Sequence, residues 1–228
     1  MKTKIDHDGC SETPEKMAEF FENRLDIYEK HQMVAIACAD VFYPLTAQKL
    51  PKQSGAQVLD LGAGTGLELG FYYPLNKTAK VTCVDLSKKM LEVLERKFSE
   101  YLPKIICGSY FDVEFEEEKF DAVVSVESLH HFTYAEKVIL YKKIRRALKK
   151  DGVFILTDYM EDDEAAEKAG FERKNNMLSG LKEEGAFWHI DTPLTVEHEM
   201  QALYEGGFRV THCGRWGKTS LLEAYRTV

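Results

Sequence analysis

The sequence predicts an α/β fold, one domain in which helices cover both faces of a largely parallel sheet. Three observations carry this. From Gln57 onward, short, β-branched and nearly continuous apolar runs recur as VLDL, KVTCVD, KIIC, FDAVVSV and GVFILTDY. Helix-prone stretches separate them, and such alternation builds parallel strands buried on both faces. The first run leads straight into Gly62-Ala63-Gly64-Thr65-Gly66 and then a helix.

Ahead of the sheet, Thr13-Pro14-Glu15-Lys16 reads as a helix start, with Thr13 as N-cap and Pro14 in the first helical position. The run MAEFFENRLDIYEKHQ continues it and puts Phe20, Phe21, Leu25 and Tyr28 on roughly one face. A second apolar helix is expected from Met33 to about Leu50, broken at Pro44. Among the strands, Ser87 can cap a helix whose Met90, Leu91, Leu94 and Phe98 repeat at helical spacing. Leu140, Ile144, Ala147 and Leu148 make a similar stripe, which Gly152 ends. Residues 161–194 interrupt the alternation with a charged, helix-prone run followed by Trp188-His189-Ile190-Asp191-Thr192-Pro193, and read as an inserted helical segment. Thr195 opens a helix to about Tyr204, Gly206 and Gly207 stop it, and FRVTHC and SLLEAYR finish as strands. The domain, 1–228, thus divides into a helical cap (1–50), a core (51–160), an insertion or lid (161–194) and a final helix with hairpin (195–228).

A length of 228 residues suits a single core. Hydrophobic content of 44% and charged content of 30% are ordinary for a soluble protein, and no apolar run approaches the ~20 residues of a membrane helix. The opening MKTKIDHDGCSETPEKM has no apolar centre, so no secretory signal is read there and a cytoplasmic protein is expected. Cys10, Cys38, Cys83, Cys107 and Cys213 show no paired spacing and read as free thiols, with Cys83 and Cys107 as small buried hydrophobes within strands. A net charge of −8 ranks nucleic acid low among partners, because phosphate binding rests on Lys and Arg. Tyr141 to Lys150 carries many cations, but its apolar residues keep helical period and its charge complements a helix C-terminus, so it reads as a solvated face.

The motif that carries chemistry is Val58-Leu59-Asp60-Leu61-Gly62-Ala63-Gly64-Thr65-Gly66. Glycines spaced two apart let the backbone turn tightly and lie against a ligand. Asp85 ends the next strand 23 residues after Gly62, where an acid can accept bonds from ribose hydroxyls. Together they indicate a nucleoside cofactor. A dinucleotide fingerprint wants G-x-G-x-x-G, and its third glycine position is Leu67 here, which favours a ligand without a pyrophosphate.

VLDLGAGTG, the acid in CVDLS, EKFDAVVSVESLHH and LKKDGVFILTDY closely resemble the successive motifs of class I S-adenosylmethionine-dependent methyltransferases, over residues 57–160. The resemblance implies a Rossmann-like, doubly wound, seven-stranded sheet, with the last two strands an antiparallel hairpin at one edge. It implies S-adenosylmethionine as cofactor, with Asp60, Gly62, Gly64 and Gly66 around its methionine part, Asp85 on the ribose, Leu86 and Met90 flanking the adenine, and Glu127 joining that set. The family often has Gly-Asp after its third strand; this chain has Gly108-Ser109-Tyr110-Phe111-Asp112, leaving Ser109, Asp112 or backbone alone for the adenine amino group, with Ser109 favoured.

Methyl transfer is an in-line displacement at an activated carbon, so a base is needed only where the acceptor must lose a proton. Ligands of open parallel sheets bind beyond the strands' carboxyl ends, which puts His130 and His131 near the cofactor, His130 as candidate base and His131 as a substrate contact or helix cap. Tyr28, Trp188, His189 and Asp191 are candidates for an acceptor lid, while Trp216 reads as structural or an oligomer contact. No ligand spacing indicates a metal. The expected activity is methylation of a small molecule by a monomer or homodimer, with tRNA or protein methylation, cofactor binding without transfer, and NAD-dependent oxidoreduction as rivals.

Overall fold

The computed structural model describes residues 14–179 and 186–227. Helices α1 (Met17–Asn23), α2 (Leu25–Ala35) and α3 (Ala39–Lys49) precede strand β1 (Gln57–Leu61). There follow α4 (Leu67–Tyr72), β2 (Lys80–Asp85), α5 (Lys88–Lys97), β3 (Lys104–Cys107), β4 (Phe120–Val126), α6 (Tyr134–Ala147) and β5 (Leu148–Tyr159). The chain ends with α7 (Glu164–Leu178), α8 (Val196–Glu205), β6 (Phe208–Trp216) and β7 (Thr219–Arg226).

Among the described residues the strands form one sheet in the order β3-β2-β1-β4-β5-β7-β6. The first five are parallel; β7 runs antiparallel beside β5, and β6 pairs antiparallel outside it. This is the expected doubly wound sheet with its C-terminal hairpin. Successive strand residues point to opposite faces, and here both faces are apolar. Leu59, Val123 and Phe154 join a core under α6 and α8, while Val58, Val124 and Ile155 join one under α3, α4 and α5. The order reverses between β1 and β4, so a crevice opens beyond their carboxyl ends.

The caps are local and form as expected. Ser87 accepts the Met90 N–H, Thr195 accepts the His198 N–H, and Gly207, at φ +88°, follows the end of α8. Thr133 and Glu136 add a capping box at α6.

Other boundaries differ from expectation. The first helix starts at Met17 rather than Pro14, and Thr13 lies outside the described residues. It breaks at Arg24, whose guanidinium holds both carboxylate oxygens of Glu15 and lies 3.7 Å above the Phe20 ring. Met33 to Ala35 belong to α2, and α3 begins only after Cys38, a residue in the left-handed region at φ 61°. Pro44 lies inside α3 without breaking it. One N–H is lost there, while burial of Phe42, Tyr43, Thr46 and Ala47, together with the Thr46–Thr157 hydroxyl contact, holds the helix on the sheet. Gly152 does not end α6, which stops at Ala147; it lies within β5, where a Cβ would stand 3.0 Å from the Phe120 carbonyl oxygen. Cys107 is exposed rather than buried, because edge strand β3 leaves its end uncovered, whereas Cys83 is buried as expected. Trp216 ends β6, partly buried against the core. No helix among the described residues is long and apolar enough to cross a membrane.

Two segments far apart in the sequence meet at the start of α1. Phe187 to His189 pair with the chain entering α1 through Met17 N–H to Phe187 O, His189 N–H to Glu15 O and a bridge between Lys16 and Trp188.

Candidate active site

The glycine turn is held in place by its backbone. Gly62 and Ala63 donate N–H groups to the Val84 carbonyl at 2.8 and 3.2 Å. Gly62 has φ +75°, and a Cβ there would lie 1.9 Å from Ser128 Oγ, so the turn presses directly on the loop after β4. Gly66, at φ +72°, meets Phe98 and Leu94, so its bareness serves the contact between α4 and α5. Asp85 closes the arrangement: Oδ2 accepts the Gly64 N–H at 2.9 Å and Oδ1 the Ser87 N–H at 2.7 Å.

A cleft of about 520 Å³, counted with its open mouth, lies over this turn. Gly62, Gly64, Asp85, Leu86, Ser87 and Met90 form one side. Tyr110, Glu127, Ser128, His131 and Phe132 form the other. Met17, Ala18, Phe21 and Tyr28 of α1 and α2 cover it.

Of the residues singled out in the sequence, Gly62, Gly64, Asp85, Leu86, Met90, Glu127, Tyr28 and His131 border this cleft, while Asp60, Gly66, Ser109, His130, Trp188 and His189 do not. Asp60 is buried against Glu68 in a pair of carboxyls. Burial and the Glu68 charge raise Asp60 well above the usual carboxylate range, and burial raises Glu68 as well. Ser109 turns away, its hydroxyl accepting the Phe111 N–H, and Asp112 is exposed; the side chain that enters the cleft after β3 is Tyr110. Trp188 pairs with Lys16 through its backbone, and His189 stacks on Phe20 with ring centroids 3.4 Å apart.

Behind the wall stands a polar cluster. His130 Nδ1 lies 2.6 Å from Asp158 Oδ1, and Asp158 also accepts the Leu129 and Tyr159 N–H groups. Asp191 Oδ1 lies 3.1 Å from His131 Nδ1 and 3.8 Å from His130 Nε2. Burial opposes charge on His130, but Asp158, Asp191 and Glu127 outweigh it and lift the imidazole to about 9. Burial and the neighbouring His130 push His131 down. Burial, then His131, takes His189 down to about 3. Glu127 is driven up to about 7 by burial and by Asp158, against the Thr219 hydroxyl that donates to it.

Residues 59–156 match the family model described as a methyltransferase domain. A glycine/sarcosine/dimethylglycine N-methyltransferase of Actinopolyspora halophila is 30% identical over 123 residues, 52% of this chain and 21% of that protein. An uncharacterized methyltransferase of Anoxybacillus flavithermus is 29% identical over 175 residues, 75% of this chain and 79% of its own. Over residues 59–156 the chain is thus similar to the methyltransferase domain family, and the likeness to a relative of comparable length extends over 75% of it. The fold agrees: a putative methyltransferase of Haloferax volcanii, solved with the Trm112 methyltransferase activator, superposes with a TM-score of 0.68 at 15% identity, covering 94% of this chain and 99% of that one. Against several curated relatives the chain spans under half of their length, 21%, 46% and 36% for three of them.

Sequence reasoning did not single out Tyr110 and Phe21, which border the cleft, or Asp158, which holds His130. Asp158 had one legible sign, an acid at the carboxyl end of a buried strand. Tyr110 and Phe21 had none, since aromatic residues of that kind serve cores equally well.

Proposed function

We propose that this chain transfers a methyl group from S-adenosylmethionine, bound over the glycine turn, to a small molecule that enters beneath α1 and α2. The observation that carries the reading is one cleft in which Asp85, Leu86 and Met90 face Tyr28, Glu127 and His131. Gly62 and Gly64 would lie along the methionine part, Asp85 would accept the ribose hydroxyls, and Leu86 and Met90 would flank the adenine, with Tyr110 closing that side in place of Ser109. Asp60 and Gly66 would act from behind, by shaping the turn.

The reaction asks the protein for orientation and exclusion of water. Phe21, Tyr28, Tyr110 and Phe132 supply apolar cover. His130, charged at neutral pH and tied to Asp158, is poorly placed as a base. The acceptor's proton-bearing atom is better set against His131, which burial keeps neutral and which borders the cleft.

A small acceptor is favoured over nucleic acid by the charge of −8 and by the cationic strip, whose Arg145 is spent on the Gly207 and Thr227 carbonyls and whose Lys149 is spent on Asp121. Relatives are named for methylating malonyl-[acyl-carrier protein], fatty acid and erythromycin, and one for tRNA.

Titration calorimetry of cofactor-free protein with S-adenosylmethionine tests the reading. Asp85→Ala is expected to weaken binding by about 1–3 kcal/mol; unchanged affinity would remove Asp85 from the ribose. Methyl transfer from labelled cofactor into a metabolite pool separates an enzyme from a protein that only binds.

A further inference from the structure

Three potential ligand residues converge at and behind the cleft wall. One ligand atom each of His130, His131 and Asp191 lies within 4.8 Å of the other two, with Asp191 Oδ1 at 3.1 Å from His131 Nδ1 and 3.8 Å from His130 Nε2. Ligands about 2.0–2.1 Å from a common ion stand roughly 2.8–3.4 Å apart in octahedral or tetrahedral geometry. Closure therefore asks for side-chain shifts of about 1 Å.

Two independent features point to an ion rather than to a self-contained polar core. His131 Nδ1 and Asp191 Oδ1 are buried and close, yet they are not aligned for a hydrogen bond and neither has another partner. Unmatched buried polar atoms are costly, and a cation between them satisfies both. A proton on His130 Nε2 does not, because 3.8 Å is beyond hydrogen-bond reach of Asp191. The second feature is Asp158, which takes the other ring nitrogen of His130 at 2.6 Å and is itself anchored by the Leu129 and Tyr159 N–H groups. A carboxylate on the far nitrogen is the usual partner of a metal-binding histidine, since it fixes the tautomer and aims the free lone pair.

We propose that His130 Nε2, His131 Nδ1 and Asp191 bind one divalent first-row transition-metal ion, with Asp158 orienting His130. Two imidazoles and one carboxylate suit zinc, iron, cobalt or nickel rather than magnesium or calcium. Three protein ligands leave a position open. His131 is shared with the cleft, so that position adjoins the acceptor. A hydroxyl or thiol coordinated there becomes more acidic: its proton leaves to water, the freed lone pair forms the bond to the methyl carbon, and the carbon–sulfur bond breaks to neutral S-adenosylhomocysteine. The ion thus takes over the work of His131, and the acceptor class is a metal-coordinating alcohol or thiol. The acceptor class rests on the methyl-transfer reading, while the ion site does not.

The test is titration of the tag-free, chelator-stripped full chain with Co²⁺, read by visible absorption, and with Zn²⁺, read by calorimetry. One ion per chain is expected, with Mg²⁺ giving none. Asp191→Asn and His130→Gln should each abolish binding, Asp158→Asn should weaken it roughly 10–100-fold, and His198→Gln, on the surface beside Glu167, should leave it intact. Circular dichroism checks each fold; if Asp191→Asn does not fold, His130→Gln decides. Absence of ion binding in the wild type, or binding unchanged in the folded variants, overturns the site. S-adenosylhomocysteine affinity is measured on the same samples. Cofactor bound without metal sinks the ion site alone, and metal bound without cofactor sinks the methyl-transfer reading alone.

Discussion

Replacing Gly62 by Ala probes the contact on which the cleft is built. The backbone there has φ +75°, a left-handed conformation that costs a residue with a Cβ about 1–2 kcal/mol. The added Cβ would also stand 1.9 Å from Ser128 Oγ and 2.5 Å from Ser128 Cβ, while Ser128 Cα is an ordinary 3.9 Å away. Relieving such overlap adds about 1–3 kcal/mol, so Gly62→Ala should lose about 2–5 kcal/mol, a large share of a typical domain's stability. The second site separates the two contributions. Ser128→Ala keeps the atom at 2.5 Å and should rescue little; Ser128→Gly removes both close atoms and should recover all but the conformational cost. Tyr110, which reaches both the Ser128 carbonyl and its hydroxyl, retains the carbonyl in either case. Urea denaturation of the variants, singly and combined, gives the coupling. A loss below about 1 kcal/mol for Gly62→Ala, or equal rescue by Ser128→Ala and Ser128→Gly, would refute this account of the turn.

Three further outcomes are expected. Lys137 and Glu199 are fully buried and bonded to each other, with Tyr141 as second donor to Glu199; Lys137→Met should cost about 3–5 kcal/mol in thermal or urea melts by stranding the carboxylate, and adding Glu199→Gln should recover most of it. Asp60, whose carboxyl is raised in the folded state by burial and Glu68, contributes fully below the ordinary carboxylate range and loses stability as pH climbs towards its raised value. Asp60→Asn, neutral throughout, should flatten that decline, and parallel stability–pH curves for the two proteins would exclude a raised Asp60 carboxyl as its cause. Arg145→Ala should cost about 1–3 kcal/mol through its bonds to the Gly207 and Thr227 carbonyls and leave methyl transfer and its salt dependence unchanged; a changed salt slope would bring nucleic acid back as substrate.

What the sequence alone determined lies where the controlling physics is local. Strand–helix alternation, the caps at Ser87 and Thr195, the glycine turn and Asp85 each depend on neighbours within a few residues, and all stand where the pattern put them. Tertiary structure decided what depends on contacts between distant segments. Pro44 stays helical because α3 is pinned to the sheet, and Ser109 turns back on Phe111 while Tyr110 takes the cleft. The start of α1, whose Met17 covers the cleft, is tied down by a pairing of residues 15–17 with 187–189. The two histidines side by side in ESLHHF part company for the same reason. Asp158, 28 residues on, claims His130, while Asp191, 60 residues beyond His131, comes to stand between the pair. Charge and protonation in a buried cluster follow from which groups face one another across low-dielectric space, and no spacing along the chain encodes that.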